Sequence, residues 1–132
     1  MIFIDTSALY AVLDRTDRNH AHAGRCWTQM LDAGHPLFTS NYVVLETCAL
    51  AQNRLGIDAV RILQADILPV IEVRWIDASI HAMAMASLLA ARRRKLSLVD
   101  CSSFVMMRQT GARTAFAYDQ HFAEEGFACY AG

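Results

Sequence analysis

Apolar residues come in short blocks separated by polar turns, and the spacing inside each block assigns its element. Ile2, Phe3 and Ile4 follow one another without polar alternation, the pattern of a central parallel strand covered on both faces, and the run ends abruptly in Asp5-Thr6-Ser7. Ala8–Leu13 then reads as a short helix, and His20–Ala33 as a second one with Trp27, Met30 and Leu31 on its apolar stripe. Gly34 and Pro36 close that helix ahead of a strand over Pro36–Thr39. Tyr42–Leu55 is a nearly apolar helix ended by Gly56, Asp58 opens a fourth helix, and Pro69 precedes a strand over Val70–Ile76. Asp77 caps a fifth helix, Ala78–Arg92, whose Ala and Met content marks it as a core helix. Ser97 and Asp100 have capping-box spacing ahead of a sixth helix that Gly111 stops. Strands over Thr114–Tyr118 and Phe127–Tyr130 flank a short segment, Gln120–Glu125. This alternation predicts an α/β fold: a three-layer domain with a central parallel sheet of about five strands flanked by helices, in one unit spanning residues 1–132.

Composition narrows the function classes. With 55% hydrophobic and 19% charged residues the chain is globular, and no apolar stretch approaches the roughly 18 residues that cross a membrane. The expectation is a soluble cytoplasmic protein. Its four cysteines, Cys26, Cys48, Cys101 and Cys129, lack paired spacing and read as buried thiols. His20 and His22 have no third ligand nearby and read as surface residues. A formal charge of −1 gives no global attraction to nucleic acid, so any such contact must be local. The dense cationic run Arg92-Arg93-Arg94-Lys95 is either a phosphate-contacting patch or a cationic last helical turn. Arg15 and Arg18 are further candidates for contacting RNA. The apolar surplus of the third and fourth helices suggests a subunit interface.

The chemistry lies in the acids. Asp5 and Asp119 each end an apolar strand, and parallel strands end on one edge of their sheet. Asp100 opens a helix and Glu46 sits on the second turn of another, and both helices are entered from that same edge. Each acid also has a structural role open to it: Asp5 as a helix cap, Asp100 as half of a capping box, Glu46 on an exposed helical face. Four carboxylates meeting in one place repel, and a divalent cation neutralises them; oxygen ligands without Cys or His select Mg²⁺ or Mn²⁺ over zinc. Such an ion supports metal-assisted hydrolysis of a phosphodiester. Thr6, Ser7, Ser102 and Ser103 flank the acids as hydroxyl donors suited to orienting them.

Four stretches, Phe3-Ile-Asp-Thr-Ser-Ala-Leu, Asn41-Tyr-Val-Val-Leu-Glu-Thr, Ser97-Leu-Val-Asp-Cys-Ser-Ser-Phe and Ala115-Phe-Ala-Tyr-Asp-Gln-His-Phe, resemble in order and separation the blocks of PIN-domain ribonucleases. The likeness is closest to VapC-type toxins of toxin-antitoxin pairs. It implies a Mg²⁺- or Mn²⁺-dependent endoribonuclease, usually a homodimer, inhibited by a small antitoxin that covers the acidic groove. By position, it makes Asp5 and Asp100 the principal metal ligands, with Glu46 and Asp119 completing the site. The chain departs from many relatives at Gln120, where they carry a basic residue.

Rival chemistries fit less well. A dehalogenase-type phosphatase needs a second Asp where Ser7 stands, and a cysteine phosphatase needs closer spacing than Cys101 to Arg108. A receiver-like module needs paired acids ahead of the first loop and a late Lys, yet Ile4 precedes Asp5 and no Lys follows Lys95. The remaining alternative is a catalytically silent PIN-fold module that binds RNA or a partner.

Overall fold

A computed structural model describes residues 1–132. Five parallel strands form one sheet in the order β3-β2-β1-β4-β5: β1 is Ile2–Ile4, β2 Leu37–Ser40, β3 Glu72–Arg74, β4 Thr114–Phe116 and β5 Ala128–Cys129. The uninterrupted apolar run is the central strand, as its pattern requires. Phe3 lies opposite Phe38 on one side and Ala115 on the other, and all three β1 residues are buried. The Phe3 and Phe38 rings meet edge to face at 5.3 Å, and Phe104 meets Phe122 the same way at 5.0 Å.

Helices flank this sheet. They are α1 (Thr6–Leu13), α2 (His20–Asp32), α3 (Asn41–Leu55), α4 (Ile57–Ile62), α5 (Ala78–Ala91), α6 (Leu98–Thr110) and α7 (His121–Glu124). Helix α1 packs on α2 and α3, and α5 packs on α6. No helix is long and apolar enough to cross a membrane.

The structure corrects several expectations. The third strand is three residues long, because Leu68-Pro69-Val70 winds into a 3₁₀ turn before it and pairing with β2 ends at Arg74. The fourth helix passes into a π-helical turn at Leu63–Ile67. Strand β4 stops at Phe116, where its pairing with Ile4 ends. Helix α5 is not a core helix: Ala84 is its one fully buried residue, and Leu89 is 69% exposed. Its Ala, Met and Leu side chains surround the axis without a polar face, so composition alone does not say which side is covered. The buried helix is α6, sealed continuously from Asp100 to Met107.

Smaller corrections concern single side chains. Cys26 and Cys101 are buried, but Cys129 is exposed on the edge strand β5. His20 and His22 are half-buried rather than free on the surface. The His20 ring pairs with the Ala11 carbonyl at 2.8 Å, and the His22 ring shares a hydrogen bond with the Tyr118 hydroxyl. The cationic run is not a helical turn either. Arg92 ends α5 in the left-handed conformation (φ 54°), and Arg93 to Lys95 form the loop into α6.

Candidate active site

The acids converge. Asp5, Glu46, Asp100 and Asp119 line one cavity of about 330 Å³, together with Thr6, Ser7, Leu50, Lys95 and Ser97. The parallel sheet is the reason: β1 and β4 both deliver their following residues to one edge, and α3 and α6 begin there.

Asp5 leaves β1 in extended geometry, and its backbone N–H donates to the Phe116 carbonyl at 3.0 Å, which ties the two strand mouths together. Its side chain is indeed a helix cap. Ser7 donates to Asp5 Oδ2 twice, from the backbone at 3.1 Å and from the hydroxyl at 2.6 Å. The Ser7 hydroxyl oxygen in turn accepts the Tyr118 N–H at 2.9 Å, which fixes its direction. Asp5 is 3% exposed, and burial pushes its carboxyl up to about 7; the Ser7 bonds oppose that rise, and Asp100 and Asp119 add to it.

Asp100 is likewise both a cap and a site residue. The Ser97 N–H donates to Asp100 Oδ2 at 3.1 Å, and the Asp100 N–H donates to the Ser97 hydroxyl at 3.0 Å. Burial raises its carboxyl above the ordinary range, and Asp119 contributes in the same direction against the Ser97 bonds. Both carboxyls are raised chiefly by burial, and the neighbouring acids add to the rise.

Glu46 is half-buried on α3. Its helix starts at Ser40, whose hydroxyl accepts the Val43 N–H at 3.1 Å. Thr6 fastens α1 to α3, its hydroxyl donating to the Val43 carbonyl at 3.5 Å and accepting from Thr47 at 3.3 Å. Asp119 lies beyond the end of β4 and accepts the His121 N–H at 2.9 Å.

Thr6 and Ser7 both line the cavity, whereas Ser102 and Ser103 turn away from it. Both are fully buried, and their hydroxyls donate back to the Val99 carbonyl at 2.7 Å and 3.0 Å, one turn up their own helix. Neither lines the cavity. The cations divide too. Lys95 lines the cavity, Arg93 is bound to Glu124 at 2.7 Å, and Arg92 and Arg94 are exposed away from the lining. Arg15 and Arg18 follow the far end of α1, about 12 Å along its axis from Asp5, and are absent from the lining.

His121 is the residue that spacing alone did not single out. Its position two residues past Asp119 was the available signal. The ring is buried, with Nε2 3.9 Å from Asp119 Oδ1 and Nδ1 3.2 Å from Glu124 Oε2. Burial alone would lower its pKa; the bond to Glu124 and the charges of Asp119 and Asp100 outweigh that and raise it. Ligand atoms of Asp100, Asp119 and His121 all lie within 4.8 Å of one another. The donor set, carboxylate oxygens with one adjoining imidazole, fits a divalent cation.

The PIN domain family profile matches residues 2–127. The 23S rRNA-specific endonuclease VapC20 of Mycobacterium tuberculosis is 34% identical over 128 residues, covering 96% of this chain and 95% of that protein. Ribonuclease VapC26 of the same organism is 41% identical over 58 residues, 44% of this chain and 41% of that protein. Among solved structures, M. tuberculosis VapC20, described as a sarcin-ricin loop cleaving toxin, superposes with a TM-score of 0.85 at 34% identity over 97% of both chains. FitAcB from Neisseria gonorrhoeae shares the fold, with a TM-score of 0.69 at 18% identity over 98% of this chain and 96% of that one. On the profile match, the near-full-length identity and the shared arrangement of strands and helices, this chain belongs to the PIN-domain family and is of the VapC type.

Proposed function

We propose that the protein is an endoribonuclease that hydrolyses RNA phosphodiester bonds with Mg²⁺ or Mn²⁺, and that it is the toxin of a toxin-antitoxin pair. The convergence of Asp5, Glu46, Asp100 and Asp119 on one cavity carries this reading. Asp5 and Asp100 are its principal metal ligands, with Glu46 and Asp119 completing the set. When bound, a divalent ion supplies charge neutralisation, a more acidic water and stabilisation of the leaving oxygen.

The chain's own groups prepare that site. Ser7 aims the Asp5 carboxylate, Ser97 aims Asp100, and the His121 N–H holds Asp119. Thr6 sets α3, and with it Glu46, against α1. Aligned carboxylates need little reorganisation when the charge arrives.

The chain works as one PIN-like domain over residues 1–132, as a cytoplasmic homodimer held in check by a small antitoxin over the acidic groove. Large apolar side chains left open on the monomer support a partner surface: Leu45 is 70% exposed and Trp75 77%. Since the VapC20 relative is named for 23S rRNA and its structure for the sarcin-ricin loop, that loop is the first RNA to try.

The test is incubation of purified protein with a sarcin-ricin loop oligonucleotide and an unrelated RNA panel, with Mg²⁺, with Mn²⁺ and with chelator. Cleavage that needs metal supports the reading. RNA binding without cleavage of any substrate under every metal condition would favour the silent binding module instead.

A further inference from the structure

The acidic cavity has a single cation in its lining, Lys95. Four carboxylates attract a metal ion but repel the RNA backbone that must reach it, so a cation at this position has an evident use. Lys95 is also uncommitted. The Lys and Arg ion pairs of the chain are Arg61–Asp58, Arg74–Glu72, Arg93–Glu124 and Arg108–Glu125, and Lys95 joins none of the four cavity acids.

The loop that carries Lys95 is tied to α7. Two residues earlier, Arg93 binds Glu124 of α7 at 2.7 Å, and the same carboxylate oxygen lies 3.2 Å from the His121 ring nitrogen Nδ1. The loop leaves α5 through Arg92, the one non-glycine residue with positive φ, and enters α6 through the Ser97–Asp100 capping box. The loop is thus fixed at its α6 end by the capping box and at its α5 end by the Arg93–Glu124 pair, with Lys95 between them.

We propose that Lys95 receives the non-bridging oxygens of the RNA phosphate that enters the acidic cavity, and that Arg93, docked on Glu124, is the positioning residue that holds Lys95 there. This rests on the nuclease reading and names one of its substrate contacts. The Lys95 ammonium supplies attraction where the carboxylates supply none. Arg93 spends its charge on Glu124 and acts through the loop, not on RNA.

The test measures two quantities on folded wild-type protein and on Lys95→Ala, Lys95→Arg, Arg93→Ala, Glu124→Ala and Lys95→Ala/Arg93→Ala variants. They are cleavage kinetics with Mn²⁺, and binding of a single-stranded RNA oligonucleotide without metal across a salt series. Lys95→Ala is expected to lower kcat/KM by roughly 10- to 100-fold and to reduce the salt slope of binding by about 0.7, the loss of one phosphate contact. Lys95→Arg keeps most of both.

Arg93→Ala and Glu124→Ala are expected to fall in the same direction as each other, and the double variant to be no worse than Lys95→Ala alone. Glu124→Ala discriminates by sign, because deleting an anion strengthens RNA binding unless the clamp matters. An unchanged salt slope and unchanged kinetics in Lys95→Ala would overturn the proposal while leaving the nuclease standing. Tighter RNA binding by Glu124→Ala would overturn the role of Arg93. A wild type inert on every RNA would sink the nuclease reading, and the salt slopes would still decide whether Lys95 meets phosphate.

Discussion

Asp5 caps α1 with its side chain, ties β1 to β4 with its backbone N–H and shares its cavity with three other acids. Its raised pKa has a direct consequence for stability. Between the ordinary value of 3.8 and about 7, folded Asp5 keeps a proton that the unfolded chain has released. Stability of the metal-free protein therefore falls as pH rises through that window and levels off above it, by on the order of 4 kcal/mol from this residue. Asp100 acts in the same direction. Asp5→Asn, which retains a capping side chain, is expected to raise the melting temperature of metal-free protein at pH 8 and to leave it nearly unchanged near pH 4; thermal unfolding at both values checks this. Ser7→Ala removes the hydroxyl bond to Asp5 and the acceptor of the Tyr118 N–H, so it should cost about 1–3 kcal/mol in denaturant unfolding.

The four acids were legible in the sequence because strand mouths and helix starts share one edge of a parallel sheet. The serines of α6 were misleading: Ser102 and Ser103 adjoin Asp100 in sequence, but successive helical residues point about 100° apart, and both hydroxyls turn to Val99. His121 escaped notice because its link to Asp119 is partly through the backbone N–H, which any residue type carries.

Among the elements, those with a clear period or cap were readable: β1 by its unbroken apolar run, α6 by its capping box, α3 by the glycine that ends it. Helix α5 was not, since an Ala-Met-Leu helix looks like a core helix whichever side it buries. The distinction between α5 and α6 is measurable. Met107→Ala, in the sealed stretch of α6, is expected to destabilise by about 2–5 kcal/mol, while Leu89→Ala on the open side of α5 stays within about 0.5 kcal/mol. Equal losses in urea unfolding would mean that α5 is covered in solution. Strands β3 and β4 were read too long for a related reason: apolar residues continue beyond the stretch that pairs with a neighbour, as at Val70 and Tyr118.

For the whole molecule, the site couples acids from four separate segments, so an ion that binds them also holds the fold together. At an ion concentration of 100 times Kd the gain is about 2.7 kcal/mol, read as a rise in melting temperature that chelator reverses. With Asp5 as a ligand, as proposed, the ion competes with its proton, so this gain should grow from pH 5.5 to pH 8 and shrink sharply in Asp100→Asn.

The most direct measurement of the central claim is the single-turnover rate of RNA cleavage by wild type, Asp5→Asn and Asp100→Asn at saturating Mn²⁺, each shown to be folded. The convergence of the acids predicts a loss of about 10²- to 10³-fold in each variant, the scale of removing one preorganised group from a catalytic site. Variants that cut as fast as wild type would contradict it, and the cavity would then have to be assigned to something other than catalysis.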